Sequence, residues 1–146
     1  MHLPNWNTVM QASLLAMLLV ASWQDMAFRI VSNRLVLVGA VLGLSFSALP
    51  AGQGIGSALA SSLVLFLSFF VLYLAGWLGA GDVKLAGATG AYFPAHQALE
   101  LGLVIMITGG LVCLAWSLWK SPQDRKGIPY ALCICTGVFF YLWAKN

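Results

Sequence analysis

Charge is what this 146-residue chain has least of. Asp, Glu, Lys and Arg together make up 8% of it, and only four residues are acidic, whereas a soluble domain carries about 25% charged residues. Hydrophobic residues reach 61%, so disorder and an ordinary water-soluble globule are both excluded. The seven basic residues are too few for a nucleic-acid surface, and no nucleic-acid partner is expected. Cysteine is equally sparse. Cys113, Cys133 and Cys135 lie inside apolar runs, with no CxxC pair and no His at zinc spacing; they read as small packing residues, and no metal or cofactor is expected. Internal repeats, heptads and low-complexity tracts are also missing.

What is present is a series of apolar segments. A spanning helix needs about 20 apolar residues at 1.5 Å each to cross about 30 Å of hydrocarbon. The length therefore predicts an all-α integral membrane protein of about six transmembrane helices, a single domain over residues 1–146 with no separate soluble insertion. The first span is expected at Thr8 to Trp23; Met1 to Asn7 holds no Lys or Arg for the basic region of a cleaved signal peptide. Residues 35–81 are uncharged, 47 in a row, and are broken by Pro50, Gly52, Gln53, Gly54 and Gly56. Two helices result, Asn33 to Leu49 and Ile55 to Leu78. The fourth span, Val83 to Phe93, is short and crosses fully only if its helix continues through His96 or the bilayer thins. The fifth runs from Leu99 to Trp119 and the sixth from Ile128 to Ala144, separated by the polar loop Lys120 to Gly127.

Threading six spans gathers Arg29, Arg34, Lys84, Lys120, Arg125 and Lys126 on one side and leaves Lys145 on the other. By the positive-inside rule the first side is cytoplasmic and both termini are outside. The six tryptophans fall near the expected helix ends, at the depth of the headgroups, so membrane lipid is an expected partner.

Four acidic residues remain to be explained. Asp124 sits in the polar loop and Glu100 opens a span on the outer side, where a solvated carboxylate is ordinary. Asp25 and Asp82 each end an apolar stretch on the cytoplasmic side, at similar depth, although 57 positions apart. They can therefore meet. Two carboxylates a few ångströms apart do not both ionise easily, so such a pair shares one proton, as aspartyl proteolysis requires. The plainer readings stay open beside this one: Asp25 and Arg29, four apart, suit an ion pair on a continuous helix, and Asp82 suits the N-cap of span four. Gly79 and Gly81 would allow positive φ and close approach of an extended substrate. Lys84 is expected to reach lipid phosphate or orient a substrate. His2 and His96 are isolated on the outer side. Pro129 and Tyr130 open span six, which Pro in a first turn and an interfacial ring would also explain.

Three stretches together resemble the prepilin peptidase family, membrane-embedded GxGD aspartic proteases that trim leaders from type IV pilin-like precursors. They are Asp25-Met-Ala-Phe-Arg29-Ile-Val-Ser-Asn33, Gly79-Ala-Gly81-Asp82-Val-Lys84-Leu85 and Pro129-Tyr130-Ala131 with Gly137 beyond. The resemblance implies that Asp25 and Asp82 are the catalytic pair, supported by Arg29, Asn33, Gly79, Gly81, Lys84, Pro129 and Tyr130. It also implies a prepilin or pseudopilin precursor as substrate, and the bacterial inner membrane as location. Ser32 stands where the family usually has Pro, and Ile30 and Val31 also depart, which loosens the expected helix end after Asp25. The chain lacks the zinc-binding insertion of the larger members, which also methylate their product. It looks like the short members of tight-adherence (Flp) pilus systems. Rival readings are an archaeal preflagellin peptidase, a presenilin-like protease and a non-enzymatic transporter or scaffold. Small residues on span four, Gly87, Ala88 and Gly90, are expected to admit the substrate's apolar helix.

Overall fold

The computed structural model describes residues 6–119 and 130–145. The breaks in apolar character become the helix ends. Six helices form: α1 (Trp6–Phe28), α2 (Asn33–Ala48), α3 (Ile55–Leu74), α4 (Ala80–Gly90), α5 (Ala98–Trp119) and α6 (Tyr130–Lys145), with a 3₁₀ turn at Ala95–Gln97. No strand occurs among the described residues. Three helices, α1, α3 and α5, are long and apolar enough to cross a membrane; α2 and α6 are shorter apolar helices. The polar loop expected between spans five and six lies outside the described residues.

The outer faces explain the composition. On α3, Leu59, Leu63, Leu67, Val71 and Leu74 are exposed, and on α5, Leu103, Ile107, Leu111, Leu114 and Leu118. Stripes of that size at helical spacing would be a liability in water, but they suit lipid. The chain is an all-α membrane protein. Inward, Leu14, Leu18, Leu65, Phe69, Leu85, Tyr92, Leu101, Ile105 and Val138 join one core drawn from α1, α3, α4, α5 and α6.

Boundaries move in three helices. Helix α1 continues past Trp23 to Phe28 and so carries Asp25 in its last turn. Helix α3 stops at Leu74, four residues early, because Ala75 caps it and Gly76 takes φ 77°, a left-handed value that glycine adopts without steric cost. Helix α4 begins three residues early, at Ala80, and ends at Gly90 rather than continuing through His96.

At 11 residues, α4 is only about 16 Å long, half of the hydrocarbon thickness. It survives there because protein surrounds it: α2, α3 and α6 all pack against it, and Val83, Leu85, Ala86, Gly87, Ala88, Thr89 and Gly90 are buried. The irregular backbone that follows is satisfied internally, as the low-dielectric interior demands. The Ala91 carbonyl accepts hydrogen bonds from Ser47 Oγ (3.0 Å) and Gln53 Nε2 (3.2 Å), and the Ala95 N–H donates to Ser57 Oγ (2.9 Å).

The small residues of α4 serve this packing. A Cβ on Gly90 would lie 2.6 Å from Ser62 Cα and 2.8 Å from the Ser61 carbonyl, and one on Gly87 would lie 3.3 Å from Phe66. The expectation that Gly87, Ala88 and Gly90 admit a substrate helix is thus overturned, because α3 occupies the face of Gly87 and Gly90 and Ala88 is itself buried.

Candidate active site

Helices α1 and α6 build the first carboxylate's seat. Ser22 and Asp25 are three apart on α1 and share a face. Ser22 Oγ donates to the Leu18 carbonyl (2.7 Å) and to the Ala131 carbonyl on α6 (3.1 Å), while the Ala131 N–H donates to Asp25 Oδ2 (3.2 Å). That N–H belongs to the first turn of α6, where the helix offers it no partner, and the helix dipole there favours an anion. Asp25 is half-buried.

Immediately beyond Asp25 the chain reverses. Arg29 takes φ 57°, and its N–H donates to the Asp25 carbonyl (2.9 Å), which closes α1 with a left-handed cap. The continuous helix assumed for an Asp25–Arg29 pair one turn apart does not exist. Ser32 then precedes α2 with φ −64°, and its N–H donates to Gln24 Oε1 (3.1 Å). The helix therefore ends where the resemblance required although Ser replaces Pro: its φ is already proline's, and its extra donor ties the turn back to α1.

The second carboxylate sits in the first turn of α4. Gly79, not Asp82, is the N-cap; Asp82 lies three residues on and its Oδ2 accepts the Gly79 N–H (3.1 Å). Asp82 is buried. Gly79 has φ −84°, and positive φ among the described glycines is confined to Gly54 and Gly76. The expectation of left-handed backbone at Gly79 and Gly81 therefore fails. Their smallness does the work: a Cβ on Gly79 would meet the Asp82 carboxylate at 3.1 Å, and one on Gly81 would meet Val31, in the α1–α2 link, at 3.4 Å.

These seats converge. Asp25 and Asp82 lie within electrostatic range of each other, Tyr130 is in range of Asp82, and Cys133, one turn into α6, is in range of both. Lys84 Nζ donates to Asn33 Oδ1 (3.1 Å), so these two residues, 51 positions apart, pin the start of α4 to the start of α2. Pro129 lies outside the described residues. Glu100 is at the opposite end of the bundle, paired with Lys145 (3.0 Å) and with the Tyr141 hydroxyl (3.1 Å). No group of three metal-ligating side chains occurs among the described residues.

Comparison with family models decides the kinship. Residues 12–118 match the type IV leader peptidase family. The chain belongs to that family. It is accordingly a leader peptidase-like protease, and the match spans both stretches that contain Asp25 and Asp82, whereas Tyr130 and Ala131 lie beyond it. Comparisons with curated proteins and with solved structures give no match.

Sequence reasoning missed Ser22, Gln24 and Cys133 as neighbours of the site. Ser22 and Gln24 had a legible signal, being polar residues in the last two turns of an apolar helix, three positions and one position before Asp25. Cys133 had none, because its proximity comes from α6 docking against α1.

Proposed function

We propose that this leader peptidase-like protease is an aspartic endopeptidase whose catalytic pair is Asp25 and Asp82. It removes leaders from type IV prepilins of the Flp kind at the cytoplasmic face of the inner membrane. The observation that carries this reading is the convergence of two carboxylates from distant segments, each seated on the N–H groups of a helix N-terminus. Such seating offsets part of the cost of placing two like charges together. Aspartyl proteolysis requires one proton shared by the pair. The ionised member takes a proton from a water lying between the two, and that water attacks the peptide carbonyl carbon. The protonated member donates to the carbonyl oxygen. Collapse of the tetrahedral diol breaks the C–N bond: the carboxyl that took the water's proton gives it to the leaving amine while the other carboxylate takes a hydroxyl proton back from the diol, so the pair again holds one proton. Arg29, Asn33, Gly79, Gly81, Lys84 and Tyr130 hold the frame around it.

The cytoplasmic assignment is supported by charge: of the four described basic residues, Arg29, Arg34 and Lys84 are at the carboxylate end and Lys145 at the other. The test is co-expression with a candidate Flp-like precursor, followed by its size on a gel. Asp25→Asn and Asp82→Asn should each lower processing by about 10²-fold or more at unchanged membrane insertion, while Glu100→Gln processes as wild type. Processing near the wild-type level by either Asn variant would refute the assignment.

A further inference from the structure

Two cavities of similar size lie at opposite ends of the bundle. One, about 380 Å³, is bordered by Asn7, Gln11, Gln53, Gln97 and Lys145, at the end remote from the carboxylates. The other, about 350 Å³, lies between α3, α5 and α6. Phe69, Ile105 and Ile134 form its buried floor, while Trp77 and Gly110 stand exposed at its rim. No charged residue lines it. Its walls also include Tyr130, whose neighbour Ala131 holds Asp25 through its N–H, and Leu78, which precedes the Gly79 N–H that holds Asp82. The cleft thus adjoins the site. Anything apolar seated in it places the adjoining stretch of its chain beside Asp25 and Asp82.

We propose that this cleft receives one face of the substrate's apolar helix; this rests on the peptidase reading above. The cleft is open at its rim, where Trp77 and Gly110 are exposed, rather than enclosed. It takes a ridge of large side chains from a helix lying against α3 and α5 in the lipid. Adjacent glycines on α5 make that approach close. Gly109 packs on Cys133, and a Cβ on Gly110 would meet nothing within 4 Å, so at Gly110 the α5 backbone itself is bare toward a visitor, the arrangement by which membrane helices come together. The face of α4 that carries Gly87 and Gly90 is filled by α3.

Two measurements test the proposal. In proteoliposomes, Gly110→Trp fills the cleft and should lower kcat/KM for a full-length precursor by about tenfold or more, through a raised KM. Gly56→Trp, equally unobstructed but on α3 at the far end, is the control and should match wild type. A kcat/KM for Gly110→Trp equal to wild type, or a loss carried by kcat alone, overturns the cleft.

The second measurement uses a native thiol. Cys113 lines the cleft with its Sγ 3.8 Å from that of Cys133, so Cys133 and Cys135 are changed to Ala to prevent internal pairing, and Asp82→Asn keeps the precursor uncut. A precursor carrying one cysteine in its apolar helix should then form a disulfide with Cys113 under copper-phenanthroline, at positions repeating every three to four residues. Crosslinking to a cysteine placed at Val38, exposed on α2, with none to Cys113, overturns the proposal, as does protection of Cys113 by lipid alone with no substrate adduct. If wild type leaves the precursor whole, the peptidase reading itself has failed; if wild type cuts it and Gly110→Trp cuts it equally, only the cleft has failed.

Discussion

Glycine-to-alanine changes at three helical positions test whether backbone proximity sets the site. At Gly110 the new methyl group meets nothing within 4 Å, so only helix propensity acts, and stability should rise by about 0.5–1 kcal/mol. At Gly87 the methyl group lies 3.3 Å from Phe66 Cβ and Cδ2, so α3 need give by only a few tenths of an ångström, and the two effects should nearly cancel. At Gly90 it falls 2.6 Å from Ser62 Cα and 2.8 Å from the Ser61 carbonyl. Backbone cannot swing aside, so α3 and α4 must separate, and overpacking of this kind costs about 1–3 kcal/mol. That exceeds the propensity gain. The expected stability order is Gly110→Ala above wild type, Gly87→Ala near it and Gly90→Ala below.

The Gly90 effect should also reach the chemistry. Asp82 rides on the same helix, about 12 Å away along a rigid rod. Displacing α4 by about 1 Å misaligns the carboxylates, at a cost on the order of 10²-fold in rate. Unfolding by SDS titration in mixed micelles, followed by far-UV circular dichroism, gives the order; precursor cleavage below the unfolding range gives the rate. If Gly90→Ala is as stable as Gly110→Ala, or is destabilised yet cleaves at the wild-type rate, the reasoning from packing to catalysis is wrong.

Two further changes probe the turn and the seat. Ser32→Pro keeps φ −64° and loses only the N–H to Gln24 Oε1, a loss of about 0.5–1.5 kcal/mol offset by a stiffer unfolded chain worth about 0.4–1 kcal/mol. Stability should therefore stay within about 1 kcal/mol of wild type, and Gln24→Ala should cost less in the Ser32→Pro background than alone; equal cost in both would show that the contact does not form. Ser22→Ala removes the bond to the Ala131 carbonyl and should cost about 1 kcal/mol of stability. It should lower kcat several-fold with KM little changed, since Ala131 then holds Asp25 less firmly; an unchanged kcat would separate Ser22 from the site.

The six apolar segments, their order and the two acidic stretches were readable in the chain, because hydrophobic length and breaks at Pro50, Gly52 and Gly54 reflect how lipid acts on each segment separately. Helix ends were less readable. The shift of α4 to Ala80 came from Asp82 capping Gly79, and the end of α1 came from Arg29 adopting a left-handed value rather than from a proline. Those are local bonds whose choice depends on neighbours. The sequence by itself determined that this chain is a membrane protein with two acids at the ends of apolar stretches, since burial of charge in lipid is costly wherever the segment goes. Only the tertiary structure decided that Asp25 takes the Ala131 N–H, that Lys84 reaches Asn33, and that α3 fills the small-residue face of α4 while a cleft remains beside α5. Those contacts join residues far apart in the chain, and their geometry is set by how closely helices pack, which no single segment records.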